Sequence, residues 1–122
     1  MSYDLRIGVK IEGYDDYAVI AVPEYCSPTY NLREMFVNCM EWEYEQGIWY
    51  KVSEVLPFIE HGIYELTFNK KKYEKYNPDN GWGDVESALE SLKSLLECIK
   101  DQAGLTGWSD NEIPIEHLYM RW

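Results

Sequence analysis

The sequence predicts an α+β domain: a small antiparallel or mixed sheet, made of an N-terminal hairpin and a C-terminal strand, covered by three helices. Three observations predict it. The first residues alternate apolar and polar side chains with a period of two. Three later stretches repeat apolar residues at three- and four-residue spacing, which is the period of a helix face. Segments rich in Gly, Asn, Asp and Pro separate these stretches and punctuate the chain. A chain of 122 residues fits one domain, 1–122, and is long enough to bury a core without disulfide or metal support.

The elements follow in the order β-β-α-(β)-α-α-β. Tyr3, Leu5, Ile7, Val9 and Ile11 alternate with Asp4, Arg6, Gly8, Lys10 and Glu12, so the first strand has one wet face. Residues 13–16 form a turn. Residues 17–22 are nearly all apolar, as expected of a strand buried on both faces, and Pro23 ends it. Leu32, Met35, Phe36, Cys39 and Met40 make one face of a helix, with Asn31 or Thr29 as its cap. Gln46-Gly47 turns the chain into a short strand at Ile48, Trp49 and Tyr50.

Ser53 opens the second helix, and Val55, Leu56, Ile59, Ile63 and Leu66 line its inner face. Pro57 is early enough to be tolerated. Gly62 costs about 1 kcal/mol relative to Ala in a helix interior, so either the helix bends there or something packs closely on it. Asp84 caps the clearest amphipathic helix, with Val85, Ala88, Leu89, Leu92, Leu95, Leu96 and Ile99 on its stripe and Gly104 at its close. Residues 113–122 read as a final strand, with Ile115, His117 and Tyr119 on one face and Leu118, Met120 and Trp122 on the other.

Composition excludes several classes. Eleven Tyr and five Trp are too many for a disordered chain. No apolar run approaches a membrane span, and the first residues carry no signal-peptide pattern. Cys26, Cys39 and Cys98 form no CxxC pair, and the last two fall on helical stripes, which fits small core residues in a reducing, cytoplasmic setting. The net charge is −11, and −9 of it lies in residues 11–69. One basic cluster, Lys70-Lys71-Lys72 with Lys75, stands against that excess, so direct nucleic-acid binding is not expected. Its three adjacent lysines complement the end of the second helix.

Two helix mouths are the candidate ligand site. Asn80, Gly81 and Trp82 precede the Asp84 helix, where free backbone N–H groups favour anions and a ring can stack on Trp82. Tyr30, Asn31 and Arg33 offer a hydroxyl, an amide and a guanidinium at the other mouth. A plain capping role competes with ligand binding at both. The alternative site is the run Glu41, Trp42, Glu43, Tyr44 and Glu45: extended, its acids share one face and its aromatics the other, which suits a basic protein partner. His61 and His117 have no nucleophile motif beside them, and no HExxH occurs. The remaining acid pairs read as solvated surface. No catalytic residue, metal ligand or cofactor is expected.

The elements Asn31-Leu32-Arg33-Glu34-Met35 and Tyr73 followed by Asn77-Pro78-Asp79-Asn80-Gly81-Trp82-Gly83 resemble those of a loose group of small bacterial and phage-type proteins. The resemblance covers roughly residues 25–100. It implies that the two helix-start loops belong together and assigns no activity. The expected function is therefore non-enzymatic binding of a small molecule between those loops. The alternative is an acidic interaction or inhibitor protein, of immunity or anti-defence type, that masks a basic surface.

Overall fold

A computed structural model describes residues 5–23, 32–77, 84–106 and 112–122 of the chain. Four antiparallel strands and four α-helices follow in the order β1 (Arg6–Lys10), β2 (Tyr17–Ala21), α1 (Arg33–Met40), β3 (Trp49–Lys51), α2 (Val52–Phe68), α3 (Lys70–Tyr73), α4 (Val85–Gln102) and β4 (Tyr119–Arg121). The architecture is α+β, with the short α3 added to the three expected helices. The sheet order is β2-β1-β4-β3, so the last strand inserts between the first and third.

The inner face of the sheet is apolar because each strand contributes alternate residues to it. Leu5, Ile7, Leu118, Met120 and Trp122 are fully or almost fully buried there. The face of α1 holds as expected: Leu32, Met35, Phe36, Cys39 and Met40 are all wholly buried. Phe36 packs its ring on Trp122 at 5.3 Å, which joins α1 to the inner sheet. The α4 stripe also holds, with Val85, Ala88, Leu92, Leu95 and Ile99 in the core and Leu89 and Leu96 at its border.

Gly62 resolves in favour of close packing. A β-carbon there would meet Met40 Cγ at 2.6 Å and Leu92 Cδ1 at 3.0 Å, so α1, α2 and α4 converge on that position. The end of α4 is a Schellman motif. Leu105 N–H donates to the Lys100 carbonyl at 2.9 Å and Gly104 N–H to that of Asp101 at 3.1 Å, with Gly104 at φ +75°.

Four expectations need correction. Residues 17–22 are not buried on both faces: β2 is an edge strand, and Val19 and Val22 are 48% and 49% exposed. An all-apolar run marks burial only where both faces are covered, and sequence alone cannot place a strand at an edge. The final strand is shorter than residues 113–122. Ile115–His117 is a 3-10 turn after Pro114, and His117 is exposed, while Leu118, Met120 and Trp122 do face inward. Helix α2 begins at Val52, capped by Lys51 without a side-chain bond, and β3 lies one residue later than expected. The lysine run follows the end of α2 as expected, but as a short helix of its own, α3, tied back by ion pairs of Lys70 to Glu86 and of Lys72 to Glu65.

Candidate interaction surfaces

Of the six residues assigned to the small-ligand site, Tyr30, Asn31, Asn80, Gly81 and Trp82 lie outside the described residues, as does Thr29. Helix α1 is preceded by Leu32, which makes no side-chain cap bond. Arg33 is described, and its guanidinium is engaged. Its Nη2 donates to the Tyr44 carbonyl at 3.0 Å, and its charge lies 4.8 Å from the Tyr44 ring centre. These contacts tie the start of α1 to residues 41–45.

The mouth of α4 is likewise committed. An α-helix leaves its first N–H groups without partners inside the helix. Here the Val85 N–H donates to Asn77 Oδ1 at 3.1 Å and the Ser87 N–H to Asp84 Oδ1 at 2.8 Å. The Asp84 carboxylate therefore sits on an amide that a bound anion would need, and its own charge opposes one. Asp84 is the cap expected from the sequence.

The run at 41–45 sorts its side chains as the alternation predicts. Glu41, Glu43 and Glu45 are exposed, Trp42 is half-buried and Tyr44 is wholly buried. Tyr44 thus departs from the partner-facing role given to it: it anchors the run from below. Its ring stacks on Trp122 at 4.3 Å and 15°. Trp42 contacts the rings of Tyr44, Tyr50 and Phe58 at 5.4, 4.9 and 5.6 Å. Glu45 N–H donates to the Tyr50 hydroxyl at 2.8 Å. Glu41 adopts φ +54°, which turns the chain out of α1 and starts the ledge. Stacked rings and the Arg33 bond therefore hold three carboxylates on a fixed backbone.

Beside the ledge lies an open hollow of about 360 Å³, lined among others by Val37, Glu41, Trp42, Lys72, Tyr73 and Tyr76. Two of its lining residues, Lys72 and Tyr73, reach the one buried carboxylate among the described residues, Glu65. Glu65 accepts hydrogen bonds from the Asn69 amide and, at 2.8 Å, from the Tyr73 hydroxyl, with Lys72 Nζ 3.7 Å away. Those donors, Asn69 first, hold its carboxyl below the usual carboxylate range. Desolvation, then the Glu65 bond, pushes the Tyr73 hydroxyl up.

Neither of the two described thiols, Cys39 and Cys98, is poised for chemistry. Burial pushes Cys39 up to about 12. Burial, with Asp101 beside it, pushes the half-buried Cys98 up to about 11. His61 Nε2 lies 3.9 Å from Glu41 Oε2 and makes no hydrogen bond. Among the described residues no three of His, Cys, Asp and Glu converge as a metal site, and no helix is long and apolar enough to cross a membrane.

A second surface escaped the sequence reading: the outer face of the sheet. Residues paired across an antiparallel ladder point to the same side. Arg6 pairs with Arg121, which pairs with Trp49. Gly8 pairs with Val19 and with Tyr119, which pairs with Lys51, while Lys10 pairs with Tyr17. Every one of these side chains is on the face away from Ile7 and Met120. The strands together carry Arg6, Lys10, Lys51 and Arg121 and no acidic residue, in a chain with twice as many acids as bases.

Gly8 makes room for Trp49. A β-carbon there would meet the edge of the Trp49 ring at 2.8 Å and the Ala18 carbonyl at 2.7 Å, so Trp49 packs directly against the backbone at Gly8. Tyr17 stacks on Trp49 at 5.1 Å and meets Tyr119 edge-on at 4.9 Å, and the Arg121 guanidinium sits 5.1 Å from the Trp49 ring. The alternate polar positions of each strand were legible, but only the pairing shows that they share one face. Comparison with protein families, curated sequences and solved structures gave no match.

Proposed function

We propose that the protein is a non-enzymatic interaction protein whose ledge at residues 41–45 docks on a basic protein surface. The observation that carries this is the separation within the run: exposed Glu41, Glu43 and Glu45 stand on buried Tyr44 and half-buried Trp42. A charged loop held by stacked rings loses little freedom on binding, which favours affinity. Phe58, exposed at 37% and stacked on Trp42, supplies an apolar contact at the margin. The acidic excess of residues 11–69 steers a cationic partner toward the ledge. The small-ligand reading is weaker, because Arg33 and the α4 mouth already have partners within the chain. The high thiol values of Cys39 and Cys98 fit inert core cysteines, and a cytoplasmic setting suits them.

The test compares the wild-type chain with the triple reversal E41K/E43K/E45K as baits in one lysate. A protein held by the wild type, lost on the reversal and released at higher salt supports the reading. Retention indifferent to both would sink it. The reversal should alter folding stability by no more than about 0.5 kcal/mol per site, as exposed positions do.

A further inference from the structure

We infer that the outer face of the sheet is a binding platform for single-stranded nucleic acid, with the bases on Tyr17, Trp49 and Tyr119 and the phosphates on Arg6, Arg121 and Lys51. The inference is independent of the ledge and its partner. Over the whole chain the charge argues against a polyanion, but the sheet face is where the balance reverses. At physiological salt the Debye length is about 8 Å, so acids beyond the rim of the sheet are largely screened there.

Three features argue for this occupant. First, three of the four cations have no carboxylate partner among the described residues, although Arg6 donates to the Leu5 carbonyl at 2.8 Å and Arg121 lies over the Trp49 ring. Among the described residues neither Arg6, Arg121 nor Lys51 has a carboxylate within ion-pair distance, and Lys10 has only Asp15 at 3.9 Å, with both side chains largely exposed. Arg6 and Arg121 are direct cross-strand neighbours, a repulsive placement that an anion between them relieves. Second, the rings lie among the cations rather than apart from them. An acidic protein needs only the charge, whereas alternating bases and phosphates need both. Third, among the described residues the helices pack on the other face, and Gly8 leaves room on this one for the partly exposed Trp49 ring. Four strands at about 4.8 Å spacing, with two-residue repeats of about 7 Å, give room for two or three nucleotides.

The experiment is fluorescence anisotropy with a labelled ten-residue oligothymidylate and the whole chain, at about 50 mM and about 200 mM salt. Saturable binding is expected, falling with salt at a slope of roughly −2 in the logarithms, as for about three phosphates. The double variant R6Q/R121Q should weaken it at least about tenfold, and Y17L, which keeps bulk but removes the ring, at least about threefold. Far-UV circular dichroism checks that both variants keep the wild-type fold. A variant that loses it is replaced by Lys51→Gln, which lies exposed at the sheet edge and should still weaken binding at least about twofold. Thymidine monophosphate, with one ring and one phosphate, should compete only at far higher concentration than the strand; equal competition would overturn a strand platform in favour of a free nucleotide. A ten-residue polyglutamate that displaces the strand equally well would overturn the inference in favour of an acidic polypeptide. Binding that is absent at the lower salt, or unchanged in R6Q/R121Q, would overturn it outright.

Discussion

The ledge at residues 41–45 and the outer face of the sheet both combine charges with aromatic rings, yet they arrange them in opposite ways. Along the ledge, acids and aromatics alternate one by one, with the rings turned inward and the carboxylates left exposed. On the sheet, Trp49 and Lys51 share one parity in β3, and Tyr119 and Arg121 share one in β4, so rings and cations emerge on the same side. The ledge therefore offers charge on a hidden aromatic support. The sheet face offers charge and rings together. One surface suits a partner recognised by its charge, the other a partner recognised by charge and flat rings at once.

The largest effect that tests this contrast comes from below the ledge. Tyr44→Ala removes a wholly buried ring from its stack on Trp122 and should cost about 3–5 kcal/mol in urea unfolding. A cost under about 1 kcal/mol would mean that the ledge is not anchored as described. The next effect is on the sheet. Gly8→Ala places a β-carbon against the Trp49 ring and the Ala18 carbonyl, and should cost about 1–3 kcal/mol. It should also change the near-ultraviolet circular dichroism as Trp49 shifts away from Gly8. An unchanged aromatic spectrum would argue that Trp49 does not pack on Gly8.

The smallest effect separates the exposed ledge acids from Glu65, the carboxylate behind the hollow. Its bonds from Asn69 and Tyr73 exist only in the folded chain and favour the ionised form. The unfolded chain therefore binds the proton more readily, and stability rises with pH through that window. The contribution is complete above the ordinary carboxylate value of about 4.5 and is lost as pH falls through the lower folded value. Urea midpoints measured from about pH 3 to pH 6 should show this acid loss in the wild type and less of it in Glu65→Gln. Parallel pH profiles for the two would remove Glu65 from the account.

Much of the helical layer was legible because its signals are local. The stripes of α1 and α4, the Asp84 cap and the Gly104 stop each depend on residues within a few positions of one another. Even the two readings left open at Gly62 were the right two, although only Met40 and Leu92 decide between them. The sheet was legible strand by strand but not as a surface. Nothing near residues 17–22 says that β2 is an edge, and nothing near Tyr119 says that β4 pairs with β1 across most of the chain. The cationic face depends on that distant pairing. For the candidate sites, the exposure of Glu41, Glu43 and Glu45 followed from alternation, but the burial of Tyr44 needed Trp122, which comes from the far end of the sequence.

The edge position of β2 bears on how copies of this protein behave toward one another. An edge strand presents unpaired backbone groups along one side, and a long apolar one is a template for aggregation. From Tyr17 to Val22 there is no charged gatekeeper, and Val19, Ile20 and Val22 are exposed. Asp15 and Asp16 stand at the start of the strand, and the acidity of the whole chain keeps other copies at a distance. That mutual repulsion weakens as salt shortens the screening length. Colloidal stability is thus tied to ionic strength. Concentrated protein in high salt, or near its isoelectric point of about 4.5, is where β2 would begin to pair with itself.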